Sequence, residues 1–98
     1  MVFYMKKATL DLTGCQNIFD LHQRIKTSLD FPDHYGKNWD AFWDCISADC
    51  EAEYVTVTGT KSVSDNLKRD IEIMIELLED NKQFWARLDN SFDYEIVN

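Results

Sequence analysis

The sequence predicts an α/β fold, a small three-stranded parallel sheet whose strands are joined by helical crossovers. Three observations predict it. Three short segments carry strand patterning, and the stretches between them carry helical periodicity. Each of those stretches is also long enough to return the chain to the same end of a sheet, which makes neighbouring strands parallel. At 98 residues, with hydrophobic residues at 45% and only three Gly and one Pro, the chain has the length and composition of one domain spanning residues 1–98.

The elements follow in order. Ala8 to Leu12 reads Ala-Thr-Leu-Asp-Leu, an apolar alternation that stops at Thr13-Gly14 and predicts the first strand. Asn17 offers a helix cap with Asp20 three residues on. Ile18, Leu21, His22, Ile25 and Leu29 then recur at spacings of three and four, so the first helix runs from about Ile18 to Leu29 and ends at Phe31-Pro32. Asp33 to Lys37 is a short connector. Asn38 caps a second helix over roughly Trp39 to Asp49, with Trp39, Phe42, Trp43 and Ile46 on its inward stripe and Phe42 and Ile46 deepest.

Tyr54-Val55-Thr56-Val57-Thr58 is β-branched and aromatic, stops at Gly59, and predicts the second strand. Ser64 can cap a third helix, in which Leu67, Ile71, Met74 and Leu78 share one line while Ile73, Ile75 and Leu77 widen the apolar face. At Asp80-Asn81 the pattern allows either a break or a continuation, because Phe84, Trp85 and Leu88 renew the helical spacing. Asp89-Asn90-Ser91 is a turn, and Phe92 to Val97 alternates apolar with acidic as a terminal strand.

Charge narrows the function. The formal net charge is −8, from 18 Asp plus Glu against 10 Lys plus Arg, which argues against nucleic acid as the partner because phosphates demand clustered cations. A basic protein fits better. The three cysteines, Cys15, Cys45 and Cys50, form no C-x-x-C pair, and their odd number suits reduced thiols in the cytoplasm. The N-terminal Met1 to Lys7 lacks the apolar core of a secretion signal, and no run approaches the ~20 apolar residues of a membrane span. Three strands are too few to enclose a large pocket, so the expected site is a flat or convex surface.

That surface is legible in the second helix. From Asp30 to Glu53 the acidic residues are Asp30, Asp33, Asp40, Asp44, Asp49, Glu51 and Glu53, opposed only by Lys37. Asp40 and Asp44 are four apart, so both carboxylates leave the same helix face, an arrangement that destabilises a helix by about 0.2 to 0.5 kcal/mol. Asp40, in the first turn, recovers part of this from the positive helix end; Asp44 lies too far along to do so. An external cation would supply what is missing. Trp43 beside Asp44, with Tyr35 and Gly36 ahead of the helix, adds the aromatic character of an interface hot spot.

These residues resemble the barstar family, inhibitors of the ribonuclease barnase. The match runs in order through Asp20-Leu21-His22-Gln23, Phe31-Pro32 and Tyr35-Gly36-x-Asn38-x-Asp40-Ala41-x-Trp43-Asp44-Cys45, and is closest from about Ile18 to Ser47. The resemblance implies a protein with no cofactor and no catalytic residue of its own. It would form a one-to-one complex with a basic ribonuclease, barnase-like or another extracellular-type nuclease, by placing an acidic helix where the substrate phosphate sits. It also implies roles: Asp44 as the principal anion, Asp40 as its companion, Tyr35, Gly36 and Asn38 as loop contacts, Trp43 as an aromatic contact and Ser47 as a contact at the helix end. His34 stands where the family tends to have an aromatic, and would be a further contact. Lys37 adds a positive charge to the loop, and Asp49 replaces an aromatic. A further family acid maps to Asp80 or Glu79, and Lys82 to Asn90 resembles an added segment.

Other chemistries fit the residues less well. Asp44, Cys45, Asp49, Cys50 and Glu51 bring two cysteines five apart with no histidine, a poor zinc set. An acidic neighbourhood is the wrong one for a nucleophilic thiolate. His22 sits on an apolar stripe and is expected as a packed, hydrogen-bonded side chain. The competing functional reading is a regulatory module that turns the same acidic face to a basic partner that is not a nuclease; only an inhibitor would abolish RNA cleavage.

Overall fold

Val55 and Val57 are both 0% exposed, because the strand that carries them lies in the middle of the sheet and faces the helices. The computed structural model describes residues 6–98, so Met1 to Met5, part of the segment expected not to be a secretion signal, lie outside the described residues. The elements are β1 (Lys7–Asp11), α1 (Ile18–Ser28), α2 (Trp39–Asp44), β2 (Tyr54–Thr58), α3 (Lys68–Ala86) and β3 (Asp93–Val97). The strands lie in the order β1-β2-β3, both pairs are parallel, and Lys7 to Asp11 pairs with Tyr54 to Thr58, which pairs in turn with Asp93 to Val97. The predicted α/β architecture is the observed one.

Alternation assigns the two faces of the sheet. Leu10, Val55 and Val57 are buried, and Leu12 continues the β1 pattern with its N–H donating to Thr58 O at 2.9 Å. They pack with Leu21 and Ile25 of α1, Phe42 of α2, Ile46 beyond it, and Leu67, Met74 and Leu78 at and within α3. Thr9, Asp11 and Glu95 point to solvent on the other side. There Thr58 and Thr56 hydroxyls donate across the strands to Asp11 and Glu95, each at 3.2 Å. A parallel sheet is more often covered on both faces; here polar pairs across the strands serve the open one.

Two details differ from the sequence expectation, and one that it left open is settled. The second helix is α-helical only as far as Asp44, and Cys45–Asp49 forms a π-helical turn. The Ser47 hydroxyl donates to Trp43 O at 2.6 Å, taking the carbonyl that an α-helical ladder would give to Ser47's own N–H. Ser64 precedes a 3₁₀ turn (Asp65–Leu67) and makes no side-chain cap; its carbonyl accepts from Leu67 N instead. Of the break and the continuation that the pattern allowed at Asp80-Asn81, α3 takes the continuation, running to Ala86 with Asn81 fully buried on the line between Leu78 and Trp85. The Lys82 to Asn90 segment thus extends α3 and its closing turn, with Trp85 packed on the core.

Candidate functional site

The entry to α2 is fixed by one side chain. Asn38 has extended backbone, its Oδ1 accepts from Ala41 N at 2.7 Å, and its Nδ2 donates to Gly36 O at 3.3 Å. It therefore both starts the helix and ties the preceding loop to it. Gly36 approaches the helix closely: a Cβ at this position would stand 3.3 Å from Ala41 Cβ, tighter than ordinary contact.

Beneath the loop is a packed aromatic layer. Phe42 is 0% exposed and meets Phe31 and Trp39 edge-on, at centroid distances of 6.1 and 5.5 Å. Trp39 Nε1 donates to Asp70 Oδ1 of α3 at 3.1 Å, and its ring lies 4.5 Å from that of His22. On the other flank Trp43 is half-buried with its ring 5.9 Å from Phe84. Helix α2 is thus clamped between α1 and α3 by its indoles, which leaves Asp40 and Asp44 on the face turned to solvent. Among the described residues neither carboxylate has an ion-pair partner, whereas Asp33 pairs with Lys26 at 3.5 Å and Glu51 with Lys6.

Tyr35, expected as a loop contact, is 5% exposed. Its ring packs on Phe31, and its hydroxyl shares a 2.6 Å hydrogen bond with His22 Nδ1. Burial pushes the Tyr35 phenol well above its ordinary value and pulls the His22 imidazole below its own, so both groups are neutral near pH 7. The ring belongs mainly to the core and presents an edge. That edge joins His34, Gly36, Ala41, Asp44 and Cys45 around a shallow depression of ≈ 280 Å³. His34 is exposed there. Ser47 is half-buried and committed to the Trp43 carbonyl. The loop, the edge of Tyr35 and Asp44 therefore meet at one place.

The two candidates on α3 differ. The Glu79 carboxylate accepts from Gln83 Nε2 at 3.1 Å and from the Tyr94 hydroxyl at 2.8 Å, which hold it below the usual carboxylate range. Asp80 is exposed and lies one turn before Phe84, the residue that meets Trp43. Of the two, Asp80 is the exposed acid, on the α3 face that carries Phe84. The thiols of Cys15 and Cys50 are pushed up by burial, away from nucleophilic thiolate character.

Sequence patterning did not find the contacts between distant segments: His22 with Tyr35, Trp39 with Asp70, and Lys37 Nζ 4.3 Å above the ring of Phe19. The one available signal for the last was an aromatic in the first turn of α1 off its apolar stripe.

A family model described as Barstar (barnase inhibitor) matches residues 5–97. A Bacillus subtilis (strain 168) protein named "Putative ribonuclease inhibitor YrdF" is 49% identical over 43 residues, which are 44% of this chain and 47% of that relative. The aligned stretch therefore spans just under half of the relative's length.

Proposed function

The chain belongs to the barstar family, and from that premise we propose that it is a proteinaceous inhibitor of a basic ribonuclease. In this reading the outer face of α2 and the loop before it occupy the enzyme's active site in a one-to-one complex, and the chain performs no catalysis itself. The observation that carries the reading is the Asp40–Asp44 pair, exposed and without an ion-pair partner among the described residues, with Asp44 lining a depression edged by His34, Tyr35 and Gly36.

The physical logic is substitution. A ribonuclease must present Arg, Lys or His to the phosphate it cleaves, and a carboxylate held at the same point accepts the same charge-assisted hydrogen bonds. Asp44, far from the helix N-terminus and close to the depression, is the principal anion; Asp40 adds field from one turn away, and Asp80 from α3. Trp43 and His34 supply aromatic contact area, while Gly36 and Asn38 hold the loop close to α2 and Ser47 the turn beyond it. Tyr35 acts from below, as the support of the loop. The cytoplasm, where cysteines stay reduced, is the compartment that suits Cys15, Cys45 and Cys50.

Titrating the purified chain into barnase and other basic ribonucleases while following RNA cleavage tests the proposal. Inhibition that is complete near one equivalent, and that weakens as RNA concentration rises, is the expected result. Undiminished cleavage by every nuclease tried, together with capture of a basic protein that is not a nuclease, would replace the proposal with the regulatory-module reading.

A further inference from the structure

Lys37 is the one cation between Asp30 and Glu53, a stretch with seven acidic residues, and it lies in the loop that leads into α2. A positive charge there opposes the rest of the face if the partner's cleft is uniformly cationic. The structure nevertheless fixes it rather than leaving it to solvent. Its backbone takes φ 53°, a left-handed conformation uncommon for lysine, and its Nζ stands 4.3 Å from the centroid of the Phe19 ring. Phe19 is 61% exposed and adjoins Ile18, also exposed, at the start of α1. Among the described residues Lys37 forms no ion pair.

With its Nζ against the Phe19 ring, Lys37 has water displaced from one side of its ammonium before any partner arrives. An opposite charge meeting it there loses less to water than at an open surface, and a like charge is rejected more strongly. The pair is also continuous with the proposed binding face, since Lys37 lies between Gly36, which lines the depression, and Asn38, which caps α2.

We propose that Lys37, held over Phe19 at the edge of the Asp40–Asp44 face, determines specificity by pairing with a carboxylate that the partner nuclease carries at the rim of its cationic cleft. This rests on the inhibitor reading and adds to it: the acidic pair recognises what all such nucleases share, and Lys37 recognises what one of them has at its edge. Nucleases with a basic rim are thereby disfavoured.

The test uses a panel of purified basic microbial ribonucleases that includes barnase, and the one inhibited most tightly serves as the probe. Lys37→Met keeps the aliphatic stem and removes the charge, Lys37→Glu reverses it, Phe19→Ala removes the platform, and Asp44→Ala is the control; thermal melts establish that each variant folds. Lys37→Met weakens inhibition of the probe about ten-fold, the loss expected for a charged hydrogen bond, and Lys37→Glu weakens it further. Replacing one rim Asp or Glu of the probe nuclease by Lys restores tight binding to Lys37→Glu. Unchanged or tighter inhibition by Lys37→Met, with Asp44→Ala still abolishing it, overturns this proposal and leaves the inhibitor reading standing. Failure of the unsubstituted chain to inhibit any nuclease overturns both.

Discussion

His22 and Tyr35 carry more of the site's geometry than either residue type suggests. The imidazole is 1% exposed, bonded to the phenol through Nδ1 and packed at a tilt against Trp39, and its Nε2 has no hydrogen-bond partner among the described residues. Burial is the main cause of its lowered pKa, with Asp70 opposing more weakly through its charge. The sign of the linkage follows. A histidine whose folded pKa lies below its unfolded value of about 6.5 leaves the unfolded chain binding more protons between the two values, so stability is complete above that pH and falls as the pH drops through the window. His22→Gln removes the hydrogen bond and some packing, at a cost of about 1 to 3 kcal/mol at pH 7.5, and also removes this part of the pH dependence. Denaturant midpoints of the two proteins should therefore converge between pH 7.5 and pH 5. A constant gap would mean that His22 does not titrate with unfolding.

At the scale of the element, α2 is short. Six α-helical residues continued by a π-helical turn hold little intrinsic stability, so the helix depends on its cap and on the indole contacts at its sides. Asn38→Ala should cost about 1 kcal/mol of stability, the usual value of an N-cap. It should also weaken inhibition, because the same side chain ties Gly36 to the helix, whereas a surface control such as Arg69→Ala should leave inhibition unchanged. Equal inhibition by Asn38→Ala and the unsubstituted chain would show that the loop holds its place without the cap.

The cap, the order of strands and helices, and the depth of Phe42 were legible because each is written in local spacing: a polar residue before an apolar stripe, or alternation against a period of 3.6. The π-helical turn was not, since it depends on where one serine hydroxyl finds a carbonyl. Neither was the inward turn of Tyr35, whose partner is 13 residues away in sequence and set by the packing of α1 on the loop. The ambiguity at Asp80-Asn81 had the same origin, because a polar pair reads as a break until tertiary packing buries one member of it.

At the scale of the whole molecule, the division of labour is between a covered and an uncovered surface. One face of the sheet and the inner sides of three helices form the core, and the described helices include none long and apolar enough to cross a membrane. The net charge of −8 favours encounter with a basic partner and predicts an association rate that falls with salt. Long-range charge alone is not an inhibitor, however; the account requires one carboxylate at one place.

The affinity of Asp44→Asn for a nuclease that the unsubstituted chain inhibits is the most direct test. The substitution keeps the shape of the side chain, removes its charge, and should leave the fold intact, which circular dichroism and thermal melting check. A loss of more than about 2 kcal/mol of binding, roughly thirty-fold, is the result predicted for a carboxylate that stands in the place of a phosphate. Binding within about two-fold of the unsubstituted chain, less than 1 kcal/mol, would contradict the account, because the acidic face of α2 would then not be what the nuclease recognises.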